Sequence, residues 1–74
     1  MNEGFILSNK YRRAVFNEFI SGETNINRIA KKNRIILTIV KRVVEDFIKE
    51  DILEKNGNSY KLTQKGKKLV ESIG

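Results

Sequence analysis

Residues 24–44 read TNINRIAKKNRIILTIVKRVV, with Arg28, Lys31, Lys32, Arg34, Lys41 and Arg42 and not one Asp or Glu. The formal net charge of the chain is +6, so this stretch accounts for all of it and the remainder cancels. An excess confined to one short segment implies a face built for a polyanion, because opposed charges mixed along a helix screen one another. Thr24 or Asn25 is placed to cap a short helix with Ile26, Ile29 and Ala30 on one face and Arg28, Lys31 and Lys32 on the other. Ala30 is small enough to let another helix approach closely. Asn33 and Arg34 fit a turn, asparagine being the commonest non-glycine residue in the left-handed conformation, and Ile35 plugs the angle beyond it.

From about Ile36 the choice lies between strand and helix, because Ile36, Ile39, Val40, Val43 and Val44 are all β-branched. Periodicity overrules propensity. Val40, Val43, Val44, Phe47 and Ile48 recur at helical spacing, and a run ending at Lys49 or Glu50 is too long for an ordinary strand. At about 100° per residue, Thr38, Arg42, Glu45 and Lys49 fall opposite that stripe with Lys41 on its flank, while Ile36 and Leu37 fall within it. Ile39 lies about 100° off the stripe, a place for a thymine methyl, a protein contact or burial in a slightly rotated helix.

Outward from this pair, Phe5, Ile6 and Leu7 form a short strand or a lead-in. Ser8 is the expected N-cap of a helix whose stripe is Tyr11, Val15, Phe16, Phe19 and Ile20, and Gly22 is its left-handed stop. Lys10, Arg12 and Arg13 sit in its first turn, against the dipole, either as a solvated basic turn or as ligand contacts. Towards the C-terminus, Ile52 and Leu53 open a strand, Asn56, Gly57 and Asn58 turn it, and Tyr60 to Leu62 return. Thr63 then caps a last helix with Leu69, Val70 and Ile73 inward and Lys65, Lys67 and Lys68 outward.

Composition narrows the chemistry. Seventy-four residues support one core, hence a single domain over 1–74, because so short a chain buries only about 60% of its unfolded surface. Cys and His are both absent, so thiolate nucleophiles, disulfides, imidazole bases and zinc sites go together. No catalytic residue, metal ligand, cofactor or small-molecule ligand is expected. Asp46 and Glu50, one helical turn apart, read as a solvated helix end far more readily than as a weak divalent-cation site. Neither a signal peptide nor about 18 consecutive apolar residues can be found, so the expectation is a soluble cytoplasmic protein without a membrane. A sequence pI near 9.8 favours nucleic acid or an anionic membrane surface, and an aromatic content of only 8% argues against a base-stacking single-strand platform, so double-stranded DNA leads.

Helix, helix, turn, helix, hairpin, helix is the order of a winged helix-turn-helix domain: mainly α, a three-helix core, a two-stranded wing and a C-terminal helix. Asp51-Ile52-Leu53-Glu54-Lys55 followed by Tyr60-Lys61-Leu62-Thr63-Gln64-Lys65-Gly66 resembles the G-L-I/V … Y-x-L-T-x-K-G wing of MarR-like and related prokaryotic, especially archaeal, winged-helix regulators. The spacing from Ala30 through Ile35 to Val40, Phe47 and Ile52 is similar to theirs without a gap. Leu7-Ser8-Asn9-Lys10-Tyr11-Arg12-Arg13 resembles the opening helix of archaeal members.

The resemblance implies a transcriptional regulator whose helix from about Ile36 enters the major groove. It assigns Leu37, Thr38, Lys41 and Arg42 to bases or flanking phosphates, Arg28, Lys31, Lys32 and Arg34 to the backbone, and Lys55, Asn58 and Lys61 to the wing. Thr38, Lys41 and Arg42 are then the readers of sequence, with Arg42 suited to guanine O6 and N7. The chain departs from the family at Ile36, Leu37 and Ile39, where polar residues are usual. It departs again at Asp51, where glycine is usual and a different approach to the strand is expected, and in its short, weakly basic wing. A homodimer is expected, built on Phe5, Ile6 and Leu7, the first helix or the last. The rival reading is a winged-helix protein interaction module using Ile39, but the acid-free stretch favours DNA.

Overall fold

The β-branched run folds as a helix. In the computed structural model, which describes residues 2–73, the chain runs α1 (Asn2–Leu7), α2 (Lys10–Ile20), α3 (Ile26–Asn33), α4 (Leu37–Lys49), β1 (Leu53–Asn56), β2 (Ser59–Leu62) and α5 (Gln64–Ile73). Val40, Val43, Val44 and Phe47 point from α4 into the core, where burial outweighs their local preference for a strand. Phe47 is fully buried and receives Phe5 and Phe16 edge-on, each with ring centroids 6.1 Å away. Each such pair adds about 0.5 to 1.5 kcal/mol to the burial of its area. Val15, Phe16 and Phe19 of α2, Ile29 and Ala30 of α3, and Ile6, Ile52, Leu53 and Leu69 complete the core.

Residues 2–7 are a helix, not the strand or lead-in that the apolar trio suggested. Non-local contacts decide this. Phe5 packs on Phe47, and Arg12 both donates to the Phe5 carbonyl at 3.2 Å and lies 3.9 Å over its ring, so an orphan carbonyl at the helix end finds a partner. Arg12 also meets Asp46 of α4 at 3.6 Å, which joins three helices through one guanidinium. It is neither a solvated residue nor a ligand contact. The cap of α2 is Asn9 rather than Ser8: its Oδ1 accepts from the N–H groups of Tyr11 and Arg12.

Three helices end in the same way. At Gly22, Arg34 and Asp51 the backbone turns left-handed, with φ of 99°, 53° and 61°. The following N–H groups of Glu23, Ile35 and Ile52 reach back to the carbonyls of Glu18, Ala30 and Phe47, the paired pattern that satisfies C-terminal carbonyls. Arg34, not Asn33, therefore takes the left-handed position. Asn33 stays helical because its side chain is committed, donating to the Glu18 carboxylate and to the Ile29 carbonyl, both at 2.9 Å. Asp51 keeps the conformation at which glycine is at home, so the expected different approach to the strand does not occur.

The hairpin pairs Leu53 with Leu62 through to Asn56 with Ser59. The loop is Gly57-Asn58, with glycine at positive φ in the first central position. The Tyr60 N–H reaches the Thr24 carbonyl at 3.4 Å and ties the hairpin to the loop before α3. Thr63 caps α5 by accepting from the Gly66 N–H at 3.0 Å; its own N–H donates to the Ile52 carbonyl, and its hydroxyl donates to the Asp51 carbonyl with that of Ile52 at 3.2 Å beside it. Gly66 is buried so closely on the Ile52 carbonyl that a Cβ would lie 2.3 Å from its oxygen. Leu69 is buried and Val70 half-buried, as the stripe required; the side chain of Ile73 lies outside the described residues. Lys65 does not simply face solvent, since its ammonium donates to the Glu50 carbonyl at the C-terminus of α4.

Candidate nucleic-acid interface

Asn25 caps α3 through bonds to the N–H groups of Asn27 and Arg28, which fixes where the helix starts. With Ile29 and Ala30 buried, Asn27, Arg28, Lys31 and Lys32 are turned outward. On α4 the burial of Val40, Val43, Val44 and Phe47 leaves Thr38, Lys41, Arg42, Glu45 and Lys49 exposed, as the helical wheel required. Arg34 stands between the two helices in its left-handed turn, also exposed.

The six cations of the acid-free stretch are not equivalent. Lys32 turns back to α2 and donates to Glu18 at 3.1 Å. Hydrogen bonding from Asn33, then from Lys32, and the charge of Lys32 hold the Glu18 carboxyl below its ordinary value against the desolvation that opposes them. This cluster clamps α3 on α2. Arg28, Lys31, Arg34, Lys41 and Arg42 have no acidic partner among the described residues. Asp46 lies one turn beyond Arg42, close enough in sequence for a helical pair, yet its carboxylate faces Arg12. Arg12 thereby keeps Arg42 free.

Of the two isoleucines, Ile39 takes the buried alternative and Ile36 leaves the place expected of it. Ile39 is half-buried against the core, on the wall of a cleft of about 260 Å³ between α2 and α4 that also involves Tyr11, Arg12 and Arg42. Ile36 is 69% exposed. The wheel failed here because Ile36 is not helical; with φ −61° and ψ 133° it is the extended N-cap of α4, and the 100° step does not reach it. Leu37, the first helical residue, is half-buried against the core.

In the hairpin, Lys55 and Asn58 are exposed near the tip. Lys61 is exposed too, but it pairs in register with Glu54 across the strands and borders a cleft that also contains Glu23. Lys10 is one of the first-turn cations that the sequence left between solvent and a ligand. It lines a cleft of about 320 Å³ with Tyr11, Asn33 and Arg34 and so adds a cation beside the turn. Among the described residues no three His, Cys, Asp or Glu gather as a metal site, and no helix is long and apolar enough to cross a membrane.

The arrangement is a cationic helix pair followed by a hairpin. Comparison with known families matches residues 14–74 to one described as winged helix-turn-helix. No curated protein and no solved structure matches.

Proposed function

The chain belongs to the winged helix-turn-helix family, and from that premise we propose that it is a sequence-specific double-stranded DNA-binding protein that regulates transcription. The observation that carries the reading is the set of exposed cations on α3, the turn and α4 that have no acidic partner among the described residues, with no Asp or Glu between residues 24 and 44. In this reading α4 enters the major groove, α3 crosses above it, and the hairpin rests on the neighbouring backbone. Arg28, Lys31, Arg34 and Lys10 hold phosphates, which sets register. Thr38, Lys41 and Arg42 meet base edges, which sets sequence. Lys32 serves the fold first and the phosphates second, and Leu37 supports α4 from within. Lys55 and Asn58 are the wing contacts, with Lys61 partly offset by Glu54.

Bound at a promoter, the protein occludes or recruits the transcription machinery, as the likeness of its wing to MarR-like and archaeal regulators suggests. The rival protein-interaction reading rests on Ile39 and the short wing; Ile39 is half-buried against the core, and the exposed cations favour DNA. For pairing on a two-fold operator, Ile6 is buried and Phe5 half-buried within the protomer, so Leu7 at 46% exposure is the apolar contact left in that segment.

The test is a heteronuclear NMR titration of labelled protein with a short random duplex at low and then moderate salt. Shifts should concentrate between residues 28 and 42 and fade with salt. Five cations on the backbone, Lys10, Arg28, Lys31 and Arg34 with Lys55 of the wing, give a slope of log affinity against log salt of about −4.5, at roughly −0.9 per neutralised phosphate. Still amides in that segment of a folded protein would refute the proposal.

A further inference from the structure

Ile36 carries two features that cost the free protein stability. It is the most exposed of the large apolar side chains among the described residues, at 69%. It also occupies the N-cap of α4 and offers no side-chain acceptor, whereas α2, α3 and α5 begin on Asn9, Asn25 and Thr63, each bonded to N–H groups of the first turn. A Ser, Thr, Asn or Asp at the same place would cap the helix and remove an apolar group from water. The fold therefore gives no account of isoleucine at this position.

Its surroundings do. Ile36 follows the left-handed turn at Arg34 and precedes Thr38 by two residues, at the end of α4 that leads into the groove. Of the base edges in the major groove, thymine presents an apolar group, its C5 methyl, where the others present donors and acceptors that a branched alkyl chain would desolvate without replacing. Ile39, turned towards α2, cannot reach that position.

Resting on the DNA reading above, we infer that Ile36 is a specificity-determining residue that packs on a thymine methyl, so the protein selects a T·A pair opposite the start of α4. The cost of leaving it uncapped and exposed is offset on binding, when the side chain and the methyl leave water together.

The experiment is parallel selection from a random-sequence duplex library with the wild type, Ile36→Ser and Ile36→Ala. Ser restores a cap, so that variant should melt at or above the wild-type temperature. The wild-type pool should hold one thymine position that both variant pools lose while keeping the rest of the consensus. Replacing that thymine with deoxyuridine, which lacks only the methyl, should weaken the wild type about fourfold, the equivalent of one buried methylene-sized group at ~0.8 kcal/mol, and leave both variants unchanged. Identical consensus sequences for all three proteins, or indifference of the wild type to deoxyuridine at every selected thymine, overturns the inference and leaves the DNA reading standing. If no protein retains duplex even at low salt, the DNA reading fails and takes the inference with it.

Discussion

Gly66→Ala tests the packing that joins the hairpin to the last helix. Gly66 lies in the first turn of α5, where alanine would ordinarily be favoured by about 1 kcal/mol. Here the new Cβ would stand 2.3 Å from the Ile52 carbonyl oxygen and 3.1 Å from Leu62 Cδ2, more than an ångström inside ordinary contact in the first case. The obstacle is backbone, so no rotamer change relieves it. The same carbonyl accepts from the Thr63 N–H at 3.0 Å, and the Thr63 hydroxyl donates to the Asp51 carbonyl beside it. Moving α5 away therefore strains both bonds and the cap at Gly66. Overpacking of this kind costs about 1 to 3 kcal/mol or more, and each weakened hydrogen bond about 1 kcal/mol.

Net of the propensity gain, a loss of about 2 to 3 kcal/mol follows, against a total of about 4 to 11 kcal/mol for a chain of this length. Urea unfolding followed by circular dichroism reads it directly, and the melting temperature should fall by about 10 to 20 °C. Gly4→Ala is the control, since a Cβ there meets nothing within 4 Å and α1 should gain from it. If the two variants shift stability in the same direction, the close approach at Ile52 does not govern this junction.

Asp51→Gly should raise stability by about 0.5 to 1 kcal/mol, because glycine adopts φ near 61° without the clash of a Cβ and loses only part of that gain to unfolded-chain entropy; the unfolding midpoint in urea checks it. Glu18 has a folded pKa below its ordinary 4.5, so its contribution is complete above that value and is lost as pH falls through the folded one. Accordingly, Glu18→Gln should be less stable than the wild type at neutral pH and converge with it in acid, in melting curves taken across pH 2 to about 7. Arg42→Ala should cost about 1 to 3 kcal/mol of binding and relax preference at one base pair, whereas Lys31→Ala should weaken all duplexes alike and reduce the salt slope by about 0.9, both read by titration of selected and random duplexes.

What could be read along the chain was the part set by neighbours in sequence. The stripe Val40, Val43, Val44, Phe47 outvoted its β-branched chemistry, and the wing motif located hairpin, cap and last helix together. Thr63 and Gly66 show what those residues do: one hydroxyl and one missing Cβ are fitted to the adjoining carbonyls of Asp51 and Ile52. The misreadings fall where a distant partner decides. Residues 2–7 become a helix through Phe47 and Arg12, and the left-handed turn falls on Arg34 because Asn33 is held by Glu18, fifteen positions earlier.

The same division runs through the candidate interface. That Arg28, Lys31, Arg34, Lys41 and Arg42 would be exposed was legible, since such side chains almost never bury unpaired. Which of them are free was not, because that depends on where the acids lie in space. Glu18 takes Lys32 from a helix away, and Asp46 is occupied by Arg12 instead of by its helical neighbour Arg42. An acid-free run of sequence is thus only a first approximation to an acid-free surface. A one-residue change of backbone state matters as much: with Ile36 extended at the N-cap of α4, the apolar side chain left exposed there is the one the helical wheel had buried.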